Sequence, residues 1–243
     1  MIEPCMDQIT IINDLRLAQS FAREVRNSRE VFCFEEEEYA ATNIRRVTMV
    51  DIRLRTIERA NFPFLNLTYL NLSFNRISEI HGIAHLIRLQ SLDISHNRIF
   101  DLSPINEMSV LEVLRIENNS IECIGAISRC HKIRELLMGN NSIPWEDVAF
   151  LEGMNELEII NLSKNPLEKK PKIFEFLHAF KPTVRLINGT NTDILLNTVC
   201  DTFDVKCDLS ATAFKTDFLR SPDGKVMMAR IRAHSKKYFE KVS

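Results

Sequence analysis

The 243 residues are 45% apolar and 26% charged, with only 6 Gly and 8 Pro, a composition that excludes a collagen-like or low-complexity chain and is long enough to bury a core without disulfide or metal staples. Lys and Arg number 31 against 33 Asp and Glu, so a net charge of −2 provides no global field for a polyanion, and direct nucleic-acid binding is disfavoured. No run approaches the roughly 18 apolar residues of a membrane span, residues 1–10 lack the pattern of a secretion signal, and six cysteines without a CxxC pair read as reduced thiols of an intracellular protein.

Residues 1–43 read as an N-terminal helical cap followed by an acidic loop. Across 8–29 a helical period places Ile12, Leu15, Ala18, Ala22 and Val25 on one side. Such a stripe suits the open first coil of a repeat array, with a free partner-binding helix as the alternative. Glu35 to Glu38 follow the apolar Val31-Phe-Cys-Phe34 and read as a solvated loop, or as a docking site for a basic partner.

Residues 44–167 repeat a single frame, LxxLxLxxNxL. One copy runs Leu67..Leu70.Leu72..Asn75.Ile77 and the next Leu89..Leu92.Ile94..Asn97.Ile99. Copies starting at Leu111, Ile133 and Leu157 follow, and a degraded copy at Ile44 precedes them, with Ile52 in the asparagine position. The spacings are 23, 22, 22, 22 and 24 residues, the signature of a solenoid of six coils. Within each, the alternation around LxL predicts a short strand. The three-residue period that follows, as in Ile77..Ile80..Ile83..Leu86, predicts a 3₁₀ turn with one apolar edge. No such coil buries its apolar side alone, so stacking creates a continuous core and a row of parallel strands. Asn75, Asn97, Asn119, Asn141 and Asn165 fall where the chain leaves the strand, and an amide that donates and accepts can satisfy the backbone of the bend.

The frame also predicts what faces outward from the strands. If the first, fourth and sixth positions point inward, the third, fifth and seventh line the concave face. Those columns hold Arg46, Tyr69, Ser91, Val113, Glu135 and Ile159, then Thr48, Asn71, Asp93, Arg115, Leu137 and Asn161, then Val50, Ser73, Ser95, Glu117, Gly139 and Ser163. Acidic groups outnumber the basic Arg46 and Arg115, so protein is a better ligand than a phosphate backbone. Val113, Leu137 and Ile159 are expected to form an exposed apolar patch beside Tyr69 and Arg115, with Gly139 admitting a docked peptide closely. The alternative is that loops or the C-terminal extension cover it. Asn71, Asp93 and Asn161 complete the candidate partner-binding set.

On these motifs the chain resembles leucine-rich-repeat proteins of the 22-residue intracellular subclass, the type of a regulatory subunit of protein phosphatase 1. The resemblance implies an α/β fold, a right-handed horseshoe with concave parallel strands and a helical or 3₁₀ convex side. Residues 168–190, through Pro171-Lys-Ile-Phe-Glu-Phe-Leu-His-Ala-Phe180 to Ile187-Asn188, resemble the C-terminal cap of that subclass, with Ile187-Asn188 replacing its usual Leu-Asp. It further implies a non-catalytic scaffold or regulatory subunit, monomeric or in a hetero-complex, in the cytoplasm, nucleus or cilium. The implied partners are a phosphatase catalytic subunit, a dynein or cytoskeletal protein, or, in a ribonucleoprotein resembling the spliceosomal A-prime complex, an RNA-binding protein.

Residues 191–243 form an extension. Ser221-Pro-Asp-Gly224 signals a turn, after which 225–241 predict a basic helix with Val226, Met227, Ile231, His234 and Tyr238 along one side, either packed on the solenoid or protruding as solvated charge, or else offered as a calmodulin-like target, to an acidic partner or to a nucleic acid. Chemistry is sparse. No phosphate-binding Gly-rich loop, zincin or nucleophile-elbow motif occurs, and His81-Gly-Ile-Ala-His85 lacks the glutamate of a zinc hydrolase. No enzyme activity, metal or cofactor is expected. Trp145, the single tryptophan, falls in a repeat with two extra residues and reads either as convex packing or as a rim anchor.

Overall fold

A computed structural model of the chain describes residues 9–11, 31–34, 37–40, 45–57, 64–170, 172–192 and 219–242. Its strands are β1 (Ile9–Ile11), β2 (Val31–Phe34), β3 (Glu37–Ala40), β4 (Arg46–Thr48), β5 (Tyr69–Asn71), β6 (Ser91–Asp93), β7 (Val113–Arg115), β8 (Glu135–Leu137), β9 (Ile159–Asn161), β10 (Leu186–Ile187) and β11 (Thr190–Asn191). The six strands expected from the repeats are β4 to β9. They pair in parallel and in constant register, Arg46 beside Tyr69, then Ser91, Val113, Glu135 and Ile159.

Within each strand the middle residue is buried and its neighbours are half-buried, as the alternation requires. Val47, Leu70, Leu92, Leu114 and Leu136 are fully buried. Each such side chain contributes about 1.5–3 kcal/mol of transfer free energy. Short 3₁₀ segments, His81–Ile83, Ser103–Ile105, Gly125–Arg129, Trp145–Leu151 and Pro166–Lys169, close the opposite side and send Ile83, Ile105 and Ile127 into the same core.

The asparagines form the expected ladder. Asn141 illustrates it: its Oδ1 accepts the Ile121 backbone N–H at 3.1 Å, while its Nδ2 lies 3.0 Å from the Ile116 carbonyl and 3.1 Å from that of Met138. Asn75, Asn97, Asn119 and Asn165 repeat the pattern, each amide tying its own bend to the preceding coil. Asn188, where the resembling caps carry aspartate, stands outside this ladder: its Oδ1 accepts the Leu162 N–H at 2.7 Å, a bond that in the preceding coils goes to the backbone carbonyl of the next strand.

Three expectations change. Among the described residues the sheet has nine strands rather than six, in the order β1, β4 to β11 without interruption. Ile9–Ile11 is a strand paired in parallel with β4, where a helix was expected, because the unpaired edge of β4 offers a hydrogen-bonding row that a short Ile-Thr-Ile segment completes. The remainder of the expected helix, including Ile12 to Val25, lies outside the described residues. Glu37 and Glu38 belong to an antiparallel hairpin, β2 with β3, not a loop; Val31-Phe-Cys-Phe34 and Tyr39 supply the β-forming residues that outweigh the acidic run.

At the other end, α1 (Ile173–Phe180) buries Ile173, Phe176 and Leu177 over the last coil, and β10 adds to β9 with Leu186 opposite Ile159. A second helix, α2 (Pro222–Val242), packs against the 3₁₀ segment Trp145–Leu151, away from the strands. Met227 and Ile231 are buried there, and Tyr238 lies edge-on to Phe150. Gly125 makes the room, since a Cβ on it would sit 2.3 Å from the Tyr238 ring. Val226, assigned by periodicity to the same side, is exposed instead: it stands about 100° around the helix from Met227. The apolar clusters at Ile194-Leu-Leu196 and Phe203 to Val205 lie outside the described residues.

Candidate functional site

Strand register decides which outward-facing residues meet. In the third column Val113 and Ile159 flank Glu135, and Leu186 lies beyond Ile159; in the fifth, Leu137 is flanked by Arg115 and Asn161. The apolar residues are therefore interleaved with polar ones, and Val113, Leu137 and Ile159 are half-buried rather than the exposed patch expected. Across β7 and β8 the Arg115 guanidinium donates from Nε and Nη2 to Glu135 Oε1 at 2.9 and 2.8 Å. Burial alone would lower the pKa of Arg115, but the hydrogen bond and charge of Glu135, helped by Asp93, raise it, so the guanidinium is a fixed cation at the centre of the face.

The polar candidates divide by what holds them. Asn71 Oδ1 accepts the N–H and hydroxyl of Ser73, Asp93 Oδ1 accepts the Ser95 N–H, and Asn161 Oδ1 accepts the N–H and hydroxyl of Ser163. These three side chains brace the turn that ends their own strands. Tyr69 lies under the Arg46 guanidinium, 4.2 Å from the ring centre, a cation–π contact at the first coils. Gly139 does something other than admit a ligand. Asn161 Nδ2 donates to Glu117 Oε1 at 2.6 Å across the intervening coil, and a Cβ on Gly139 would stand 3.2 and 3.3 Å from those two atoms. The missing side chain opens a channel for a hydrogen bond between coils two apart.

Leu186 is the residue that the repeat frame missed. Val184 and Ile187 keep the first and fourth positions of LxxL, which marks a seventh strand inside the segment assigned to the cap, and Leu186 extends the apolar side of the face next to Ile159. The C-terminal helix does not cover these residues, since it lies against the 3₁₀ side.

That opposite side holds a buried polar cluster. Asp147, 1% exposed, accepts the Ile124 N–H at 2.7 Å and pairs with His234 Nε2 of α2 at 2.8 Å. Desolvation raises the carboxyl pKa, opposed by the Ile124 hydrogen bond and by His234. Burial and the charge of Asp147 push the Cys123 thiol up to about 11, and burial pushes Cys130 up to about 12. Both thiols are held away from the thiolate form that nucleophilic chemistry needs. His81 is exposed and His85 half-buried, and among the described residues no three of His, Cys, Asp and Glu gather in a metal-binding group. Trp145 is partly buried against the core under Lys170, 4.6 Å from its ring centre.

Nine described strands adjacent in one sheet, eight of them parallel, with 3₁₀ turns behind them decide the architecture, and a family model described as leucine rich repeat matches residues 42–99. The chain folds as a leucine-rich-repeat solenoid. An internalin of Listeria monocytogenes matches with a TM-score of 0.56 at 21% identity, over 62% of this solenoid chain and 42% of the internalin. The Drosophila melanogaster SNF/U2A′ complex gives 0.48 at 22% identity, over 63% and 82% of the two chains. A leucine-rich-repeat protein of Leptospira interrogans gives 0.47 at 25%, over 59% and 36%. This chain thus spans less than half the length of the internalin. No curated protein matches the sequence significantly. Leucine-rich-repeat solenoids generally mediate protein–protein interaction through such extended surfaces.

Proposed function

We propose that this solenoid is a non-catalytic scaffold that receives a partner protein on its concave face. The observation that supports it is the register that sets Leu137 beside Arg115 and Ile159 beside Leu186, on strands the core already holds in place. A partner helix or extended peptide finds there apolar contacts at Leu137, Ile159 and Leu186, with Arg115 fixing its direction. Because the strands are ordered before binding, docking costs little conformational entropy on the scaffold side.

The 22-residue spacing and the cap-like residues 168–190 support the intracellular subclass. Its phosphatase, dynein and spliceosomal partners are the classes to separate, and the compartment follows from whichever is found. The experiment is affinity capture of the full chain with quantitative mass spectrometry, alongside a Leu137→Glu, Ile159→Glu double variant of unchanged melting temperature. The variant is expected to lose its specific partners about tenfold or more, the size of effect that a charge in an apolar contact produces. Full retention would refute the concave assignment.

A further inference from the structure

The edge at which the chain leaves its strands has a character that the concave face lacks. Each coil turns there through a residue at positive φ: Asp51, Phe74, His96, Asn118, Asn140 and Lys164. Asn and Asp tolerate that conformation, whereas other L-residues are strained in it. Phe74, 53% exposed, occupies it with its ring stacked on His96 at 4.0 Å and 10°. A bulky apolar side chain held in strain and left in water contributes nothing to the core.

Two residues further on, the first three coils carry Arg53, Arg76 and Arg98, where the next three carry Ser120, Ser142 and Pro166. The backbone stacks these positions directly, Arg76 N–H on the Leu54 carbonyl and Arg98 N–H on that of Ile77, both at 2.8 Å. All three arginines and the neighbouring Arg55 are exposed, and none is held in an ion pair among the described residues. Phe100, 59% exposed, follows Arg98 on the same side. Of the nearby acids, Asp101 is engaged by the Ser103 N–H and hydroxyl, while Asp51, two positions before Arg53, and Glu79, three after Arg76, stay exposed.

Free guanidinium forks beside a stacked aromatic pair call for carboxylates and a planar side chain. A phosphodiester chain needs an unbroken basic track, whereas exposed Asp51 and Glu79 lie within three chain positions of Arg53 and Arg76, and Asp93 and Glu117 stand in the two neighbouring outward-facing columns of the strands. Spaced carboxylates on a peptide can avoid those acids. Three adjacent coils at about 4.8 Å separation span about 10 Å, the length of three or four extended residues. We propose that this edge of the first three coils docks an acidic peptide segment with an aromatic residue, its carboxylates on Arg76 and Arg98 and its ring on the Phe74–His96 stack. This is a second surface, independent of the concave one.

The test is fluorescence anisotropy on the full chain with labelled EEEYEEE, its uncharged counterpart QQQYQQQ, and a labelled oligouridylate. EEEYEEE is expected to bind, and Arg76→Glu with Arg98→Glu to weaken it about tenfold or more at unchanged melting temperature, as loss of two charge-assisted contacts implies. Phe74→Gly should weaken binding too without lowering the melting temperature, because glycine relieves the positive φ. The Leu137→Glu, Ile159→Glu variant should bind the peptide as the parent does, which separates this edge from the concave face. Absence of EEEYEEE binding, equal binding of QQQYQQQ, indifference to the arginine reversals, loss in the concave variant, or tighter oligouridylate binding on the same arginines would each overturn the proposal.

Discussion

Two adjacent asparagines, Asn140 and Asn141, let the ladder be tested against its own neighbour. Asn141 is buried; replacing it with alanine leaves the Ile121 N–H without its acceptor and removes the amide from the Ile116 and Met138 carbonyls. An orphaned buried N–H costs about 1–3 kcal/mol and each lost net hydrogen bond about 1 kcal/mol, so Asn141→Ala should destabilise by about 3–5 kcal/mol. Asn140 is exposed, at φ 55°, and its side chain donates only to Asn118 Oδ1, at 2.7 Å. For Asn140→Gly the loss of that exposed bond is offset by relief of the left-handed backbone, and the change should stay within about 0.5 kcal/mol. Urea unfolding followed by circular dichroism on both variants is the assay. A repeat array need not unfold in two states, so midpoints and slopes are compared together. If Asn141→Ala unfolds within about 0.5 kcal/mol of Asn140→Gly, the scatter of neutral surface changes, the ladder does not stabilise the fold.

Gly125→Val should drive the Tyr238 ring from its seat and release the end of α2, read as new cleavage within 225–242 under limited proteolysis while the sheet's far-UV signal persists. An unchanged cleavage pattern would place the helix differently. Asp147 has a raised pKa in the fold, so its contribution to stability is present below its unfolded pKa, about 3.9, and is lost as pH rises through the folded value. The stability of the parent relative to Asp147→Asn should therefore fall as pH rises through the acid range and then level off, in urea titrations at successive pH values. A difference that grows with pH would mean the His234 interaction outweighs desolvation.

The repeat was legible because one rule is written six times, and errors in a single copy, such as Ile52 for asparagine, do not hide it. The face was only partly legible. Periodicity tells that Val113 and Leu137 point outward, but whether they meet depends on register, which sets Glu135 beside Val113 and Arg115 beside Leu137. The engagement of Asn71, Asp93 and Asn161 with their own turns follows from the serine two residues on, a local signal that the columns pass over. Gly139 was misread for a physical reason: its space is filled from both sides by Glu117 and Asn161, 44 positions apart, which no local pattern reports. At the N-terminus, strand β1 arises because a neighbouring edge needs completion, and helical period within the segment carries no information about that demand.

The last two strands determine how far the sheet can grow. Through β10 every parallel pairing presents the same geometry to the next coil, so nothing within the repeat itself limits its number. Gly189, at φ 79°, reverses the chain, and Thr190–Asn191 pairs antiparallel with Leu186–Ile187. The row that would template another molecule's strand is thereby closed by a two-residue polar hairpin, too short to seed a filament. A chain cut before Gly189 would carry the bare edge of β10, and the same regularity that assembles the horseshoe would then favour end-to-end self-association.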